Sequence, residues 1–434
     1  MTTTSDQVVQ STTGLRGLVL RCHFYAGVLV GPFVLVAALT GVLYALTPQL
    51  ESWLYHGELS VPVSSRPLPL AEQVLAARAT NPTGSLVAVR PAPEPGDTTR
   101  VLFTEPGLGG SERRAVFVDP GTGRVTGSLV ASGTSGVLPL RTALDQVHRN
   151  LLLGEPGRLY SELAASWLWV VALGGAVLWL TRSRATRGRR RSLGVHGVLG
   201  MWVLLGAVFL SATGLAWSAY AGGNVAAVRS ALGWAPPSLR TGGGGEHAGH
   251  AADRVDDVLA SARAAGIDAG ALEIGLPDGP GEPWEVTEVE RGWPTQVDAV
   301  AVDGASGSVV GSVRFADYPV AAKLARWGVD AHTGVLFGWP NQVLLLAVGL
   351  GLVVLVVLGY RMWWRRRPVR ATAVAFGKPV ARGQWRKAST PSVLVLLVVA
   401  GLVGWFVPLL GTSLVAFLVV DVVLGLRARA AAGN

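Results

Sequence analysis

The sequence is poor in the residues that several common classes of site require. Cys22 is the only cysteine in 434 residues, which excludes an intrachain disulfide and an iron–sulfur cluster held by cysteines of one chain. No Gly-x-Gly-x-x-Gly or P-loop fingerprint follows a strand-like segment, so the sequence shows no nucleotide-binding motif. Charged residues make up only 15% of the chain, whereas apolar residues make up 50%. This composition is typical of a membrane protein.

Six apolar runs are long enough for membrane-spanning helices, which need about 20 residues. They lie at roughly 24–47, 163–181, 195–219, 342–360, 391–408 and 410–427. Arginine-rich segments follow the second and fourth runs, RSRATRGRRRS at 182–192 and RMWWRRRPVR at 361–370. Because short cytoplasmic segments collect Lys and Arg, we expect these segments and both termini in the cytoplasm. We attribute most of the net charge of +9 to these cytoplasmic segments. We therefore expect no nucleic-acid partner.

A segment that begins with histidine occurs twice with the same internal spacing. HRNLLLGEP begins at His148, and HTGVLFGWP begins at His332. Aligning these histidines also aligns two Val-Asp-x3-Gly segments, at Asp119 and Asp303, which we expect to be turns between strands. Proline cannot continue a helical hydrogen-bond ladder. The shared Gly-x-Pro therefore predicts a helix break between each histidine segment and the following span.

The first and third apolar runs also share a pattern. His23 and His196 each begin the sequence His-x3-Gly-x12-Thr-Gly. The two Thr-Gly pairs, at Thr40 and Thr213, are expected to be sites of close helix packing. We interpret the chain as a duplication of one unit, which consists of a helix, an outer domain, a histidine segment and a second helix. The halves of such a parallel repeat are related by an axis along the membrane normal.

The predicted fold class is an integral membrane protein, mainly α, with six transmembrane helices, an internal two-fold duplication and two small α+β extracytoplasmic domains. The segments LAEQVLAARA and RVDDVLASARAAG predict a helix at the start of each outer domain, and short β-type runs follow. The C-terminal hairpin has no counterpart, and TGGGGEHAGH is typical of a flexible linker. The predicted parts are 1–47 (cytoplasmic N-terminus and first span), 48–160 (first outer domain and histidine segment), 161–219 (two spans and a basic loop), 220–336 (second outer domain and histidine segment), 337–390 (fourth span and basic segment) and 391–434 (C-terminal hairpin).

The four repeated histidines are candidate metal ligands. By the symmetry of the repeat, His23 pairs with His196, and His148 pairs with His332. Two neutral imidazoles on different helices of an apolar bundle can bind a haem iron from both sides. Two axial histidines leave no open position on the iron, which favours electron transfer over oxygen chemistry.

Other roles for these histidines stay open. Histidines within a membrane also serve as proton relays or as helix-end packing residues. A zinc site would need three or four ligands, and one pair supplies two. His247 and His250 lie in the glycine-rich linker, where we expect solvated side chains. Asp421, near the end of the last run, is expected to face the membrane interface.

The chain resembles the PepSY-associated transmembrane family over about residues 16–365, and in particular its iron-regulated and ferric-siderophore reductase members in bacterial inner membranes. The matching segments are HFYAGVLVGPFVLVAALTG, LDQVHRNLLLG, VHGVLGMWVLLGAVFLSATG, VDAHTGVLFG, VFVDPGTGRVTGSL and VAVDGASGSVVGSV. The resemblance implies periplasmic PepSY domains. In the reductase members it also implies two b-type haems on paired histidines, and thus haem b at the four histidines of this chain.

These observations predict a multi-pass protein of the bacterial inner membrane with both termini in the cytoplasm. It would move electrons to an extracytoplasmic acceptor, a ferric chelate or siderophore, in iron acquisition. The short basic cytoplasmic segments leave no room for a flavin or NAD domain, so the electron donor must be a separate protein, a quinol or a soluble carrier. Two alternatives remain: a PepSY-domain regulator that interacts with a protease and has no redox cofactor, and a transporter built on the parallel repeat.

Overall fold

A computed structural model describes residues 4–182, 191–239, 251–277, 279, 281–365 and 382–430. The linker with His247 and His250, residues 183–190 of the first arginine-rich segment and residues 366–370 of the second lie outside the described residues. The chain divides into two compact units. We call residues 1–43, 146–232 and 343–434 the helical unit, and residues 44–145 and 233–342 the sheet unit.

All the described strands lie in the sheet unit, whereas helices occur in both units. In chain order, the described helices are α1 (Thr4–Leu29), α2 (Gly31–Ala45), α3 (Thr47–Leu54), α4 (His56–Leu59), α5 (Leu70–Thr80), α6 (Pro139–Asn150), α7 (Arg158–Leu180), α8 (Arg191–Ala216), α9 (Ala221–Ala231), α10 (Ala251–Ala264), α11 (Val320–His332), α12 (Trp339–Trp364), α13 (Thr390–Phe406) and α14 (Pro408–Ala430). The described strands are β1 (Ser85–Arg90), β2 (Thr99–Thr104), β3 (Glu112–Val118), β4 (Val125–Ser132), β5 (Leu272–Gly275), β6 (Trp284–Glu288), β7 (Ala299–Val302) and β8 (Val309–Val313).

Four described helices are long and apolar enough to cross a membrane. They are Arg158–Leu180, Leu193–Ala216, Trp339–Trp364 and Pro408–Arg427. The pair Gly14–Leu29 and Gly31–Ala45 makes a fifth candidate if it crosses as one bent span, while Thr390–Phe406 is a shorter apolar helix of 17 residues. The described part of the chain is thus a multi-pass membrane protein with four or five candidate spans, where the sequence predicts six.

Proline accounts for the bend in the first apolar run. The axes of α1 and α2 differ by 60°. Pro32 follows Gly31 at the start of α2 and has no N–H to donate to the carbonyl of Val28, four residues earlier. The hydroxyl of Tyr360, on α12, donates to that carbonyl oxygen instead. The sequence predicts one span over 24–47. The bend within it follows from the carbonyl of Val28, to which Pro32 cannot donate.

The sheet unit contains one antiparallel sheet of eight strands. Their order is β4-β3-β2-β1-β5-β6-β7-β8, so β1 and β5 join two four-stranded halves. At the junction Ala88 pairs with Gly275, and Val89 pairs with Ile274. The sequence predicts two separate small domains, but in the structure they share a sheet. Pairing β1 with β5 satisfies backbone groups that would otherwise lie on two exposed edges.

The helices α5 and α10 pack into one buried apolar cluster with this sheet. Val74 on α5 and Val258 on α10 belong to one apolar cluster with Phe103 and Ile274 from the strands. The carboxylate of Asp256 accepts hydrogen bonds from the backbone N–H groups of the first two residues of α5, at 2.8 and 2.9 Å. These donors have no partner within their own helix, so α10 supplies the N-terminal cap of α5.

The two Val-Asp-x3-Gly segments form equivalent turns. The carboxylates of Asp119 and Asp303 each accept a hydrogen bond of 2.8 Å from the backbone N–H two residues later. Gly123 and Gly307 follow with φ angles of 69° and 68°, which glycine adopts without the steric penalty of a side chain. The prediction that both aspartates are turn residues is therefore confirmed.

Candidate cofactor site

His23 and His196 lie side by side within the helical unit. His23 is on α1 and His196 is on α8, and their ring centroids are 6.3 Å apart with an angle of 81° between the ring planes. Both side chains line one cavity of about 480 Å³. The structure thus brings together, from two different helices, two of the four histidines that the repeat singles out.

The rings of His23 and His196 lie near backbone carbonyls at equivalent positions of the repeat. Nδ1 of His23 lies 2.9 Å from the carbonyl oxygen of Val171. Because a carbonyl only accepts, Nδ1 carries the proton and Nε2 keeps its lone pair. The ring of His196 interacts with the carbonyl of Leu355, which is the repeat counterpart of Val171. That contact falls outside strict hydrogen-bond geometry, and Nδ1 of His196 is buried without another partner among the described residues.

Glycines leave room beside both rings. A Cβ atom at Gly175 would lie 3.0 Å from Cε1 of His23, and one at Gly359 would lie 3.9 Å from Cε1 of His196. A Cβ atom at Gly27 would meet nothing within 4 Å, and one at Gly200 only a methyl group at 3.9 Å. All four glycines line the cavity, so a flat ligand can approach the backbone closely there.

The donor set fits haem better than a metal bound by protein alone. The described residues contain no group of three or more His, Cys, Asp or Glu side chains able to bind a metal, and a structural zinc site takes four ligands. A haem iron has four ligands from its macrocycle and needs only two histidines. His23 and His196, with ring centroids 6.3 Å apart, are the two residues that would hold it.

His148 has a hydroxyl partner in place of a backbone carbonyl. Nδ1 of His148, on α6, lies 2.9 Å from Oγ1 of Thr40 on α2. The hydroxyl of Thr40 donates to the carbonyl oxygen of Val36 at 2.8 Å, so its oxygen accepts from Nδ1–H, and Nε2 of His148 keeps its lone pair. The ring packs over Gly41, where a Cβ atom would lie 3.3 Å from Cε1. The hydroxyl of Tyr160 donates to the carbonyl oxygen of His148.

Sequence reasoning assigned Thr40-Gly41 to helix packing and missed its contact with His148. The sequence did contain a signal for this contact, because Thr-Gly follows a histidine at the same spacing in both copies of the repeat. The side chain of Thr213 repeats the local geometry of Thr40, because it donates to the carbonyl oxygen four residues earlier at 2.8 Å.

His332 is the last residue of α11 in the sheet unit and is half-buried. Two residues earlier, the carboxylate of Asp330 is fully buried between Arg291, at 2.6 Å, and Arg326, at 2.8 Å. One partner alone would leave a buried charge incompletely compensated, so this double ion pair fixes the end of the helix. His148 lies in the helical unit, whereas His332 lies in the sheet unit.

The predicted helix breaks after both histidine segments are confirmed. The helix α6 ends at Asn150 and α7 begins at Arg158, while α11 ends at His332 and α12 begins at Trp339. The glycine of each Gly-x-Pro has a positive φ, 66° at Gly154 and 59° at Gly338. These glycines end each segment in a backbone conformation that other residues seldom adopt.

One protein family matches most of the chain. The model of the PepSY-associated TM region matches residues 20–366, which include all four histidines. The chain belongs to the PepSY-associated transmembrane family. No curated protein matches the chain.

The C-terminal hairpin α13–α14 lies outside the family match and packs on the helices that carry the site. The indole N–H of Trp167 on α7 donates to Oγ of Ser413 on α14 at 2.9 Å. The carboxylate of Asp421 forms ion pairs with Arg21, two residues before His23, and with Arg382. Asp421 therefore contacts α1 directly.

Proposed function

We propose that this protein of the PepSY-associated transmembrane family binds haem b between His23 and His196 and transfers electrons across the membrane. The observation that carries the proposal is the pair of imidazoles on different helices, with ring centroids 6.3 Å apart beside one cavity. A haem bound there would supply one-electron redox chemistry. With His23 and His196 as its two protein ligands, such a haem would favour electron transfer over oxygen activation.

The residues around the pair support this role. The Val171 carbonyl holds the His23 ring in the tautomer that presents Nε2. The cavity is lined mainly by glycine, aliphatic and aromatic side chains, which excludes water and favours an apolar macrocycle. Its volume of about 480 Å³ lies within the roughly 300–1,000 Å³ of small-molecule and cofactor sites.

An internal duplication and a second haem site extend the proposal. Val171 and Leu355 face the two rings, and Gly175 and Gly359 pack beside them. Val171 and Leu355 are as far apart along the chain as His148 and His332, and so are Gly175 and Gly359. This correspondence supports a duplicated architecture, and we propose that His148 and His332 bind a second haem b. The second site rests on the repeat, in which His148 and His332 occupy equivalent positions.

The sequence is the basis for the proposed direction of electron transfer and for the proposed donor and acceptor. We propose six spans in the bacterial inner membrane, with both termini in the cytoplasm. Electrons would enter from a separate cytoplasmic or quinol donor and leave to an extracytoplasmic acceptor. The resemblance to ferric-siderophore reductases favours a ferric chelate or siderophore as this acceptor.

An optical spectrum of the purified full-length protein tests the haem proposal. We expect the Soret and α bands of bis-histidine haem, sharpened by dithionite, with haem content near two per chain. His23→Ala and His196→Ala should each remove the same haem, because each removes one of its two axial ligands. His56→Ala is the matched control, since His56 is exposed in the sheet unit and has no counterpart in the repeat.

The result also separates the competing functions. A colourless full-length protein would refute electron transfer and favour the PepSY regulator without a redox cofactor. If the spectrum is present, reoxidation of the reduced protein in proteoliposomes by a membrane-impermeant ferric chelate tests the acceptor. No reoxidation from either side would contradict the ferric acceptor while leaving the haem assignment intact.

A further inference from the structure

The cavity beside His23 and His196 carries fixed charge at one end only. Among the described residues that line it, the side chains with a permanent charge are Arg16 on α1 and Arg182, just after α7. No acidic residue is among them. The opposite end is lined by aliphatic residues such as Val34, Ala207 and Leu352, so the cavity is polarised along its length.

The helix register places both arginines at the same end. The helices α1 and α7 pack against each other and run antiparallel, because His23 lies beside Gly175 while Ala26, further along α1, shares a buried cluster with Ala164, further back on α7. Each arginine is seven residues from the contact between His23 and Gly175. At about 1.5 Å per residue, this places both roughly 10 Å from the level of the histidine pair.

The ligand proposed for this cavity has a matching pair of charges. Haem b carries two propionates on one edge of an otherwise apolar macrocycle. A carboxylate in an apolar cavity needs a charged or hydrogen-bonding partner, and arginine binds carboxylates with two parallel hydrogen bonds. The aliphatic end of the cavity suits the opposite edge, which carries only apolar substituents.

We propose that Arg16 and Arg182 bind the two haem propionates and thereby fix the orientation of the macrocycle between His23 and His196. This assignment rests on the proposed function, since it concerns the same site. The arginine end is the end that the basic segments assign to the cytoplasm, so the propionates face the side of the electron donor.

Haem binding to the apo protein tests the assignment, with haem dimethyl ester as the uncharged probe. The full-length protein would carry His148→Ala, so that absorbance reports the His23–His196 site alone, and would be titrated in nanodiscs. We expect the parent protein to prefer haem b over the ester by about tenfold to a hundredfold, the range for one or two hydrogen bonds to charged groups. Arg16→Gln with Arg182→Gln should bring this ratio close to one and leave the affinity for the ester unchanged.

Three controls make the result specific. Arg361→Gln removes an exposed arginine on α12 that does not line the cavity, and should leave the ratio unchanged. The Lys variants of both arginines keep the charge without the planar fork and should restore part of the preference. Unchanged affinity for the ester shows that the Gln variants still fold. If the double variant does not accumulate, the two single Gln variants provide the same test, and each should lose part of the preference for haem b.

Two outcomes would overturn the proposal, and they are distinguishable. A double Gln variant that prefers haem b as strongly as the parent would refute the role of the arginines and leave the haem site standing. Absence of a bis-histidine spectrum with both ligands would overturn the proposed function and this assignment with it.

Discussion

Replacing Thr40 tests how the fold prepares His148 to bind a metal. In the structure, the oxygen of Thr40 accepts from Nδ1 of His148 at 2.9 Å, and Thr40 is only 8% exposed. Thr40→Val keeps the branched shape of the side chain but removes the acceptor. The Nδ1–H group would then be partly buried without a partner, which costs about 1–3 kcal/mol. A ligand on Nε2 holds the proton on Nδ1, so this cost falls on the bound state. At about 1.4 kcal/mol per factor of ten, it weakens ligand binding by roughly fivefold to 150-fold.

The expected loss agrees with the usual effect of such partners. Removing the hydrogen-bond partner of a metal-binding histidine lowers metal affinity by about 10–100-fold. We therefore expect Thr40→Val to lower haem affinity at the site of His148 by that factor. Its midpoint potential should also rise, because a histidine without this hydrogen bond is a less basic ligand. Thr40→Ser keeps the hydroxyl and should retain affinity and potential close to those of the parent protein.

The assay is a haem titration, followed by a redox titration, of the full-length protein with His23→Ala, so that only the second site reports. The matched control is Thr412→Val, because the hydroxyl of Thr412 also donates to the carbonyl oxygen four residues earlier, at 2.9 Å, but Thr412 lies exposed on α14. Equal haem affinity in Thr40→Val and the parent protein would refute the reasoning. So would an equal loss in Thr40→Ser, since that would assign the effect to packing and not to the hydroxyl.

Two further predictions concern orientation and pH. A cysteine at Ser111, exposed in the sheet unit, in a Cys22→Ser background, should react with an impermeant maleimide added to intact protoplasts; reaction only after lysis would reverse the predicted orientation. Burial raises the pKa of the Glu51 carboxyl above its ordinary value of 4.5, against the opposing effect of a hydrogen bond from the backbone N–H of Arg141. A raised folded-state pKa gives stability that is fully present below pH 4.5 and is lost as the pH rises through the folded value. The gain in melting temperature from Glu51→Gln should therefore grow as the pH rises above 4.5, and a gain independent of pH would contradict this.

The sequence by itself determined the features that depend on local composition and spacing. Apolar runs of about 20 residues indicate membrane helices because lipid leaves backbone groups no external partner. The equal spacing of His148 and His332 from their Gly-x-Pro predicted the helix breaks, because the chemistry of glycine and proline acts within a few residues. The turn roles of Asp119 and Asp303 were predictable for the same reason.

Only the tertiary structure decided which distant groups meet. The joining of β1 to β5, the cap that Asp256 provides for α5 and the contact of Thr40 with His148 all link residues that lie far apart in the chain. The sequence around each of these residues does not identify its distant partner. The missing N–H of Pro32 is a property of the sequence, but the hydroxyl that satisfies the released carbonyl comes from Tyr360, on a helix near the other end of the chain. Periodicity and spacing describe the neighbours of a residue along the chain, whereas the site depends on contacts across helices, and the packing of the whole fold sets those contacts.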